Sequence, residues 1–510
     1  MLIINNLSVN TLKGRTLIGH FSFVLNEGDR IAIIGEEGNG KSTLLKIMAG
    51  RDVSAYVTYQ GSVNANGGKV GYLEQSIDHK WDESSLLEYL SKDDPLQEIP
   101  LEFYDNYPYL QQLLRNFGLA EEQLSQKIGS LSGGEKVKAA ISKLLLAGCD
   151  YLLLDEPTND LDLQTLMWLE DFINNADCPV MFISHDETLL ENCANGIIHI
   201  EQLKKKQEAH ITFERLTYPQ YLLKRQHNIA RINAISRKEN AAFNQQLERY
   251  RQIYQKVQYQ QSTISRQDPH GGRLLKKKMH AVKSLGRKME EKKANLTAKY
   301  EPEEAIEMFF PPVQLNPNKV ILDLQLPELT AQGRLLARDI QMHILARNKV
   351  CIIGPNGAGK TTLLKLIRLK LDERTDIKVG YLPQNYRDVL NDDISASAFL
   401  NPQGLKDRQS QVNSYLGALK FTSEEMTHPI SELSEGQKCK LLLMKLIVEN
   451  CEVLILDEPS RNLSPLSNPQ LRQMLIDYGG CIIAVSHDRK FINEVCDSIY
   501  LLENRQLKKL

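Results

Sequence analysis

Short, nearly continuous apolar runs mark the two ends of this 510-residue chain. RIAIIG (30–35) and KVCIIG (349–354) lead straight into glycine-rich loops and then into helical stretches, the strand–loop–helix order of a P-loop α/β domain. YLLLD (151–155) and VLILD (453–457) read as buried parallel strands, each delivering acidic residues at its C-terminal end. From 213 to about 300 the pattern changes: glycine and proline become rare apart from RQDPHGG (266–272), and polar, helix-favouring runs lie on either side. These predict two long antiparallel helices joined by a turn at Asp268–Gly272. No apolar run approaches the roughly 18 residues that span a bilayer, and no signal peptide is visible, so a cytoplasmic protein with no membrane partner is expected.

The two ends repeat each other. GEEGNGKSTLLK (35–46) returns as GPNGAGKTTLLK (354–365), GYLEQ (71–75) as GYLPQ (380–384), and LSGGEKVK (131–138) as LSEGQKCK (433–440). YLLLDEP (151–157) returns as VLILDEP (453–459), and FISHD (182–186) as AVSHD (484–488). Five elements in the same order mean a tandem duplication. The predicted domains are 1–208, a basic helical-hairpin linker at 209–314 with its tip near 260–288, and 315–510.

In GxxxxGK[ST] the glycines let backbone N–H groups converge on phosphates, here Gly35, Gly38 and Gly40, then Gly354, Gly357 and Gly359. Lys41 and Lys360 supply positive charge, Ser42 and Thr361 can ligate Mg²⁺, and Thr43 and Thr362 follow them. Asp155 and Asp457 fit the magnesium-side carboxylate at a strand end, and Glu156 and Glu458 are placed to polarise an attacking water. With LSGGE and LSEGQ upstream, the Gln75 and Gln384 loops and the histidines His185 and His487, both modules resemble ABC-type ATPase domains.

That resemblance implies two ATP molecules with Mg²⁺ sandwiched between the modules, with Gln75 and Gln384 also reaching the metal. One site would combine Lys41, Asp155, Glu156, Gln75 and His185 with Ser434 and Gly436; the other Lys360, Asp457, Glu458, Gln384 and His487 with Ser132, Gly133 and Gly134. ABC domains often stack adenine on an aromatic near the module start, but LSVNTLKG (7–14) and LPELTAQG (326–333) contain none, so ATP over GTP rests on the resemblance.

Charge sharpens the picture of the middle. The net charge is −2, yet residues 221–300 hold 19 Lys and Arg against 5 Asp and Glu, which suggests a polyanionic partner. Arg266, Arg273, Lys276, Lys277, Lys278, Lys283, Arg287 and Lys288 gather around and after the predicted turn. Eight scattered cysteines without a CxxC disfavour a zinc site, a cluster or a disulfide framework. Two joined ABC modules with a basic helical linker near 90 residues resemble the ABC-F family of ribosome-binding ATPases over the whole chain. By that likeness the linker reaches from the ribosomal E site toward the P-site tRNA and the peptidyl-transferase centre, touching tRNA and 23S rRNA through phosphates and shape. The linker and a missing arm insertion look like the members that protect ribosomes from antibiotics, and the protein is expected to be a monomer without an obligate protein partner. A housekeeping factor that rescues stalled ribosomes, the ATPase subunit of an ABC transporter and a DNA-processing ATPase are the alternatives.

The two copies diverge after LDEP: LDEPTNDLD (154–162) becomes LDEPSRNLSP (456–465), so Ser464 stands opposite Asp162. Glu435 replaces Gly133, and Glu36 and Glu37 stand where the other loop has Pro355 and Asn356. By the ABC pairing all these departures fall on the Lys41 site. Extra carboxylates near phosphates are unfavourable unless screened or turned away, so that site is expected to bind more than it turns over.

Overall fold

The computed structural model describes residues 1–510 apart from Asp160, 204–207, 264–268, Glu301, 304–307 and Gln332, with side chains of 269–272 also outside the described set. Each module is built on a six-stranded sheet. In the first the spatial order is Val70–Leu73, Tyr151–Asp155, Val180–Ile183, Arg30–Ile34, Gly196–Gln202, Glu208–Glu214, parallel until the last antiparallel pair. The second repeats it with Val379–Leu382, Val453–Asp457, Cys481–Val485, Lys349–Ile353, Ser498–Glu503 and Gln506–Lys509. The apolar runs become strands because parallel strands are covered on both faces and tolerate no polar alternation. Tyr151–Asp155 and Val453–Asp457 are buried along their whole length. This topology places the P-loop strand and the Asp-Glu strand on either side of one intervening strand, with their C-terminal ends at one rim. The first sheet runs on to Glu214 and its compact unit to Tyr218, past the boundary at 208 read from the sequence.

Both modules belong to one compact unit, Met1–Tyr218 with Glu303–Leu510. Charged side chains tie them together. Arg472 Nη1 lies 2.5 Å from Glu187 Oε1, both side chains 4% exposed, and its Nε donates to Glu494 at 2.6 Å. Lys490 Nζ adds contacts to Glu187 at 3.3 Å and Glu191 at 2.5 Å, and Arg489 pairs with Glu170. Removing one partner of a buried pair leaves an uncompensated charge, so Arg472→Ala should destabilise the chain by about 3–5 kcal/mol. Chemical denaturation checks this, and a loss under about 1 kcal/mol would mean the pair does not hold the modules.

The second compact unit is Pro219–Pro302. Helix Tyr218–Thr263, 46 residues and about 70 Å long by helical rise, is followed by Pro269–Ala294. Their antiparallel register is fixed by the Tyr250 hydroxyl against Gly286, Lys292 Nζ donating to Gln246 at 2.8 Å, and Thr297 N donating to Glu239 at 2.9 Å. The predicted turn at Asp268–Gly272 is corrected in part: Pro269–Gly272 lie within the second helix. Proline suits a first helical turn because its missing N–H would have no partner there. Asp268 lies outside the described residues. Among the described residues, no helix is long and apolar enough to cross a membrane.

Candidate functional site

The P-loops follow their strands as the sequence requires. Gly35 (φ 144°) and Gly354 (φ 152°) sit so close to neighbouring strands that a Cβ would lie 2.2 Å from the Ile200 and Leu502 carbonyl oxygens respectively. Any other residue would push the loop off the sheet. Gly40 and Gly359 take left-handed conformations and start helices Lys41–Met48 and Lys360–Asp372. Each loop wraps its own lysine: Lys41 Nζ donates to Gly35 O at 2.9 Å and Glu36 O at 3.1 Å, and Lys360 Nζ to Gly354 O at 2.8 Å and Pro355 O at 3.0 Å. Thr43 is buried and Thr362 half-buried in these helices. Loop amides and a helix N-terminus around a lysine make an anion cradle.

The strand-end acids differ between the copies. Asp155 accepts from Ser42 Oγ at 2.9 Å and from the Tyr72 hydroxyl at 2.8 Å, so both its oxygens are engaged. Asp457 meets Thr361 Oγ1 at 3.4 Å through one oxygen, while its other oxygen and the Tyr381 hydroxyl are buried without a hydrogen-bond partner among the described residues. Burial pushes the Asp457 carboxyl up to about 6. An orphaned carboxylate oxygen beside a threonine hydroxyl suits a hard, oxygen-seeking cation such as Mg²⁺.

Glu156 and Glu458 both take the left-handed conformation at their strand ends (φ 50° and 52°), a costly state for a non-glycine residue that surrounding structure must impose. Glu156 accepts from Asn159 Nδ2 at 2.8 Å and lies 3.3 Å from His185 Nε2, whose Nδ1 is 2.7 Å from the Leu463 carbonyl of the other module. Burial alone would raise it, but the His185 and Asn159 bonds hold it down at about 2. Glu458 accepts from the His487 backbone N–H at 3.2 Å, and the imidazole stays 3.7 Å away. Burial pushes Glu458 up to about 8 and His487 down to about 4.

Across the module interface the two composite sites are unlike. At the Lys360 side a cavity of about 800 Å³ is lined by Lys360, Thr361, Gln384, Asp457, Glu458 and His487 from the second module and by Gly133, Asn159 and His185 from the first. Ser132 caps the signature helix Gly133–Leu146, with Gly134 buried in its first turn. At the Lys41 side the pairing also forms, but the loops touch directly. Glu37 Oε2 accepts from the Gly436 backbone N–H at 2.5 Å, at the start of the Ser434-capped helix Glu435–Val448. Glu36 lies 2.8 Å from Lys440 Nζ and accepts from Ser464 Oγ at 2.5 Å and Ser467 Oγ at 2.8 Å.

The extra carboxylates are therefore neither loose nor clustered. Glu435 turns back to Lys438 at 2.8 Å, and Glu36 and Glu37 are spent on the opposite module. Burial opposes the ionised form of Glu36, but Lys440 and the two serines hold it at about 2. A carboxyl lowered in this way contributes stability that is complete above its ordinary 4.5 and lost only as pH falls toward 2. Gln75 is exposed beyond its strand. In the linker, Arg273, Lys276, Lys277, Lys278, Lys283, Arg287 and Lys288 are all exposed on Pro269–Ala294, while Arg266 lies outside the described residues.

Sequence reading passed over Asn159, Lys440, Ser467 and the tyrosine pair Tyr72 and Tyr381. Lys440 stands one helical turn beyond Gly436, a spacing that puts it on the same side of the signature helix, whereas Ser467 lies in the turn before helix Asn468–Asp477 and carries no such signal.

The ABC transporter family model matches residues 18–159 and 337–461, covering parts of both modules. The chain is 30% identical over 516 residues to the ribosome protection protein VmlR of Bacillus subtilis, spanning 98% of this chain and 86% of that one. It is 28% identical over 525 residues to the ATP-binding protein Uup of Escherichia coli, spanning 96% and 78%. It is 26% identical over 531 residues to ATP-binding cassette sub-family F member 2 of Bos taurus, spanning 99% and 81%. Among solved structures, a complex of archaeal ribosomal stalk protein aP1 with the ribosome recycling factor aABCE1 is similar with a TM-score of 0.57 at 17% identity, covering 94% of this chain and 84% of that one. This last likeness is one of fold.

Proposed function

This chain belongs to the ABC ATPases, among the tandem F-type members, and from that premise we propose that it is a ribosome-binding ATPase whose basic hairpin reaches RNA near the peptidyl-transferase centre and protects the ribosome from antibiotics. The observation that carries this reading is the hairpin itself: Pro269–Ala294 displays the seven exposed Lys and Arg side chains named above on a long, self-packed helical arm. Likeness to a ribosome protection protein over nearly the whole chain supports the same choice.

ATP hydrolysis is the activity of this family, and the residues at the Lys360 cavity suit it. Lys360, the loop amides and the helix N-terminus would hold the phosphates, and Gly133 of the opposite signature helix faces them. Thr361, Asp457 and Gln384, with Ser42, Asp155 and Gln75 at the other site, are the residues that would hold Mg²⁺. Bound there, the ion would neutralise charge on the β- and γ-phosphate oxygens. Water attacks the γ-phosphorus, its proton passes to Glu458 in its ionised form, which burial makes the stronger base, and the bond to the bridging oxygen breaks to leave ADP and phosphate. His487 orients that carboxylate through its backbone N–H.

Capture of the Glu156→Gln, Glu458→Gln double variant from cells, followed by cryo-EM, tests the proposal. Ribosomes with the hairpin against tRNA and rRNA are expected. Recovery with membranes, or with DNA, would overturn it.

A further inference from the structure

The module interface carries a device that the hydrolytic reading does not use. On the Lys360 side the signature helix Gly133–Leu146 opens at Gly133 onto the large cavity. On the Lys41 side the matching helix N-terminus is already taken, because Glu37 Oε2 accepts from the Gly436 N–H at 2.5 Å. A carboxylate at a helix N-terminus satisfies the same backbone donors and the same dipole as a phosphate oxygen would. Beside it, Glu36 is fixed between Lys440, itself only 6% exposed, and the hydroxyls of Ser464 and Ser467. His185 continues the seam by bonding the Leu463 carbonyl.

These partners answer one another. Pro355 and Asn356, at the positions of Glu36 and Glu37 in the second loop, carry no charge. Asp162, at the position of Ser464, turns its carboxylate onto Thr165 of its own helix. The charged loop and the Ser464 hydroxyl that donates to it thus occur together on one side of the interface, whereas on the other the loop is uncharged and Asp162 stands in place of that serine.

We propose that Glu36 and Glu37 form a carboxylate latch that fills the phosphate side of the Lys41 composite site and holds it shut, so that nucleotide binding, module opening and hydrolysis are run from the Lys360 site. The proposal rests on reading both composite sites as nucleotide sites. Its physical basis is that an ion pair between a buried lysine and a half-buried carboxylate held by two further hydroxyls is costly to break, since each partner left behind keeps its desolvation cost. Nucleotide phosphates reaching Gly436 would have to displace Glu37 from it, adding like charge beside the Glu36 carboxylate.

Equilibrium dialysis of the full-length protein against a non-hydrolysable ATP analogue with magnesium separates the possibilities. The wild type should bind about one analogue per chain, and a Glu36→Gln, Glu37→Gln variant about two. Two per wild-type chain with comparable affinities would overturn the latch while leaving the ATPase reading intact, whereas none would overturn the ATPase reading. Amide hydrogen exchange on nucleotide-free protein gives an independent readout that needs only Glu37→Ala. Residues 434–440 should be protected in the wild type and exchange at least about tenfold faster in the variant, with 132–138 unaffected. Equal protection of the two signature segments in the wild type would overturn the latch.

Discussion

Glu458→Gln should lower steady-state ATP turnover at least about a hundredfold, whereas Glu156→Gln should cost no more than about threefold. The first figure follows from removing a proton acceptor at the reacting water, a step that contributes roughly 10²–10⁴-fold. Glu458 lines the cavity with Lys360 and His487, and among the described residues its carboxylate is hydrogen-bonded at one oxygen, by the His487 backbone, which leaves the other for a water. Glu156 is committed to Asn159 and to His185, and His185 is in turn held by Leu463 of the opposite module. A glutamate so engaged acts mainly as part of the seam. Phosphate release under saturating ATP measures both variants, and equal losses would refute the asymmetry.

Much of this was legible in the chain, and the reason is locality. The phosphate loops, the acidic strand ends and the capped signature helices are each set by fewer than about ten consecutive residues, with φ constraints that only glycine meets at Gly35 and Gly354. Buried strands such as Val453–Asp457 announce themselves by unbroken apolar runs. Even the site harbouring Glu36, Glu435 and Ser464 could be located, because the duplication aligns one copy on the other. What could not be read was the sign of those substitutions. As isolated charges near a phosphate they look like damage; placed against Lys440, Ser464 and Gly436 they are paired. The partners lie some 400 residues away in the chain, and such pairing is decided by the docked interface and not by local propensity. The helix start at Pro269 was missed for the opposite reason: Pro-His-Gly-Gly reads as a turn by composition, but proline at a first helical turn loses no hydrogen bond, and the following glycines are carried by a long helix.

Replacing Lys276, Lys277, Lys278 and Lys283 with Gln should weaken ribosome binding by about 10²–10³-fold near physiological salt and flatten its salt dependence, while ATP turnover without ribosomes stays within about twofold. Each phosphate contact releases condensed counterions and adds about 0.7–0.9 to the slope of log affinity against log salt, so losing four should reduce that slope by about 3. The four lysines are exposed on Pro269–Ala294. The two helices of the hairpin are held instead by buried Phe243, Val257, Val282 and Met289, which the substitutions leave untouched. Glutamine keeps the helix propensity and much of the length of lysine, so what is lost is charge. Co-sedimentation of the Glu458→Gln background with ribosomes across a salt series reads the slope directly. If the hairpin acts through phosphates, tolerance to peptidyl-transferase antibiotics in cells expressing the variant should fall with it to the level of cells lacking the protein. An unchanged slope would mean that the hairpin is a solvated spacer, and unchanged tolerance with a reduced slope would separate ribosome binding from protection.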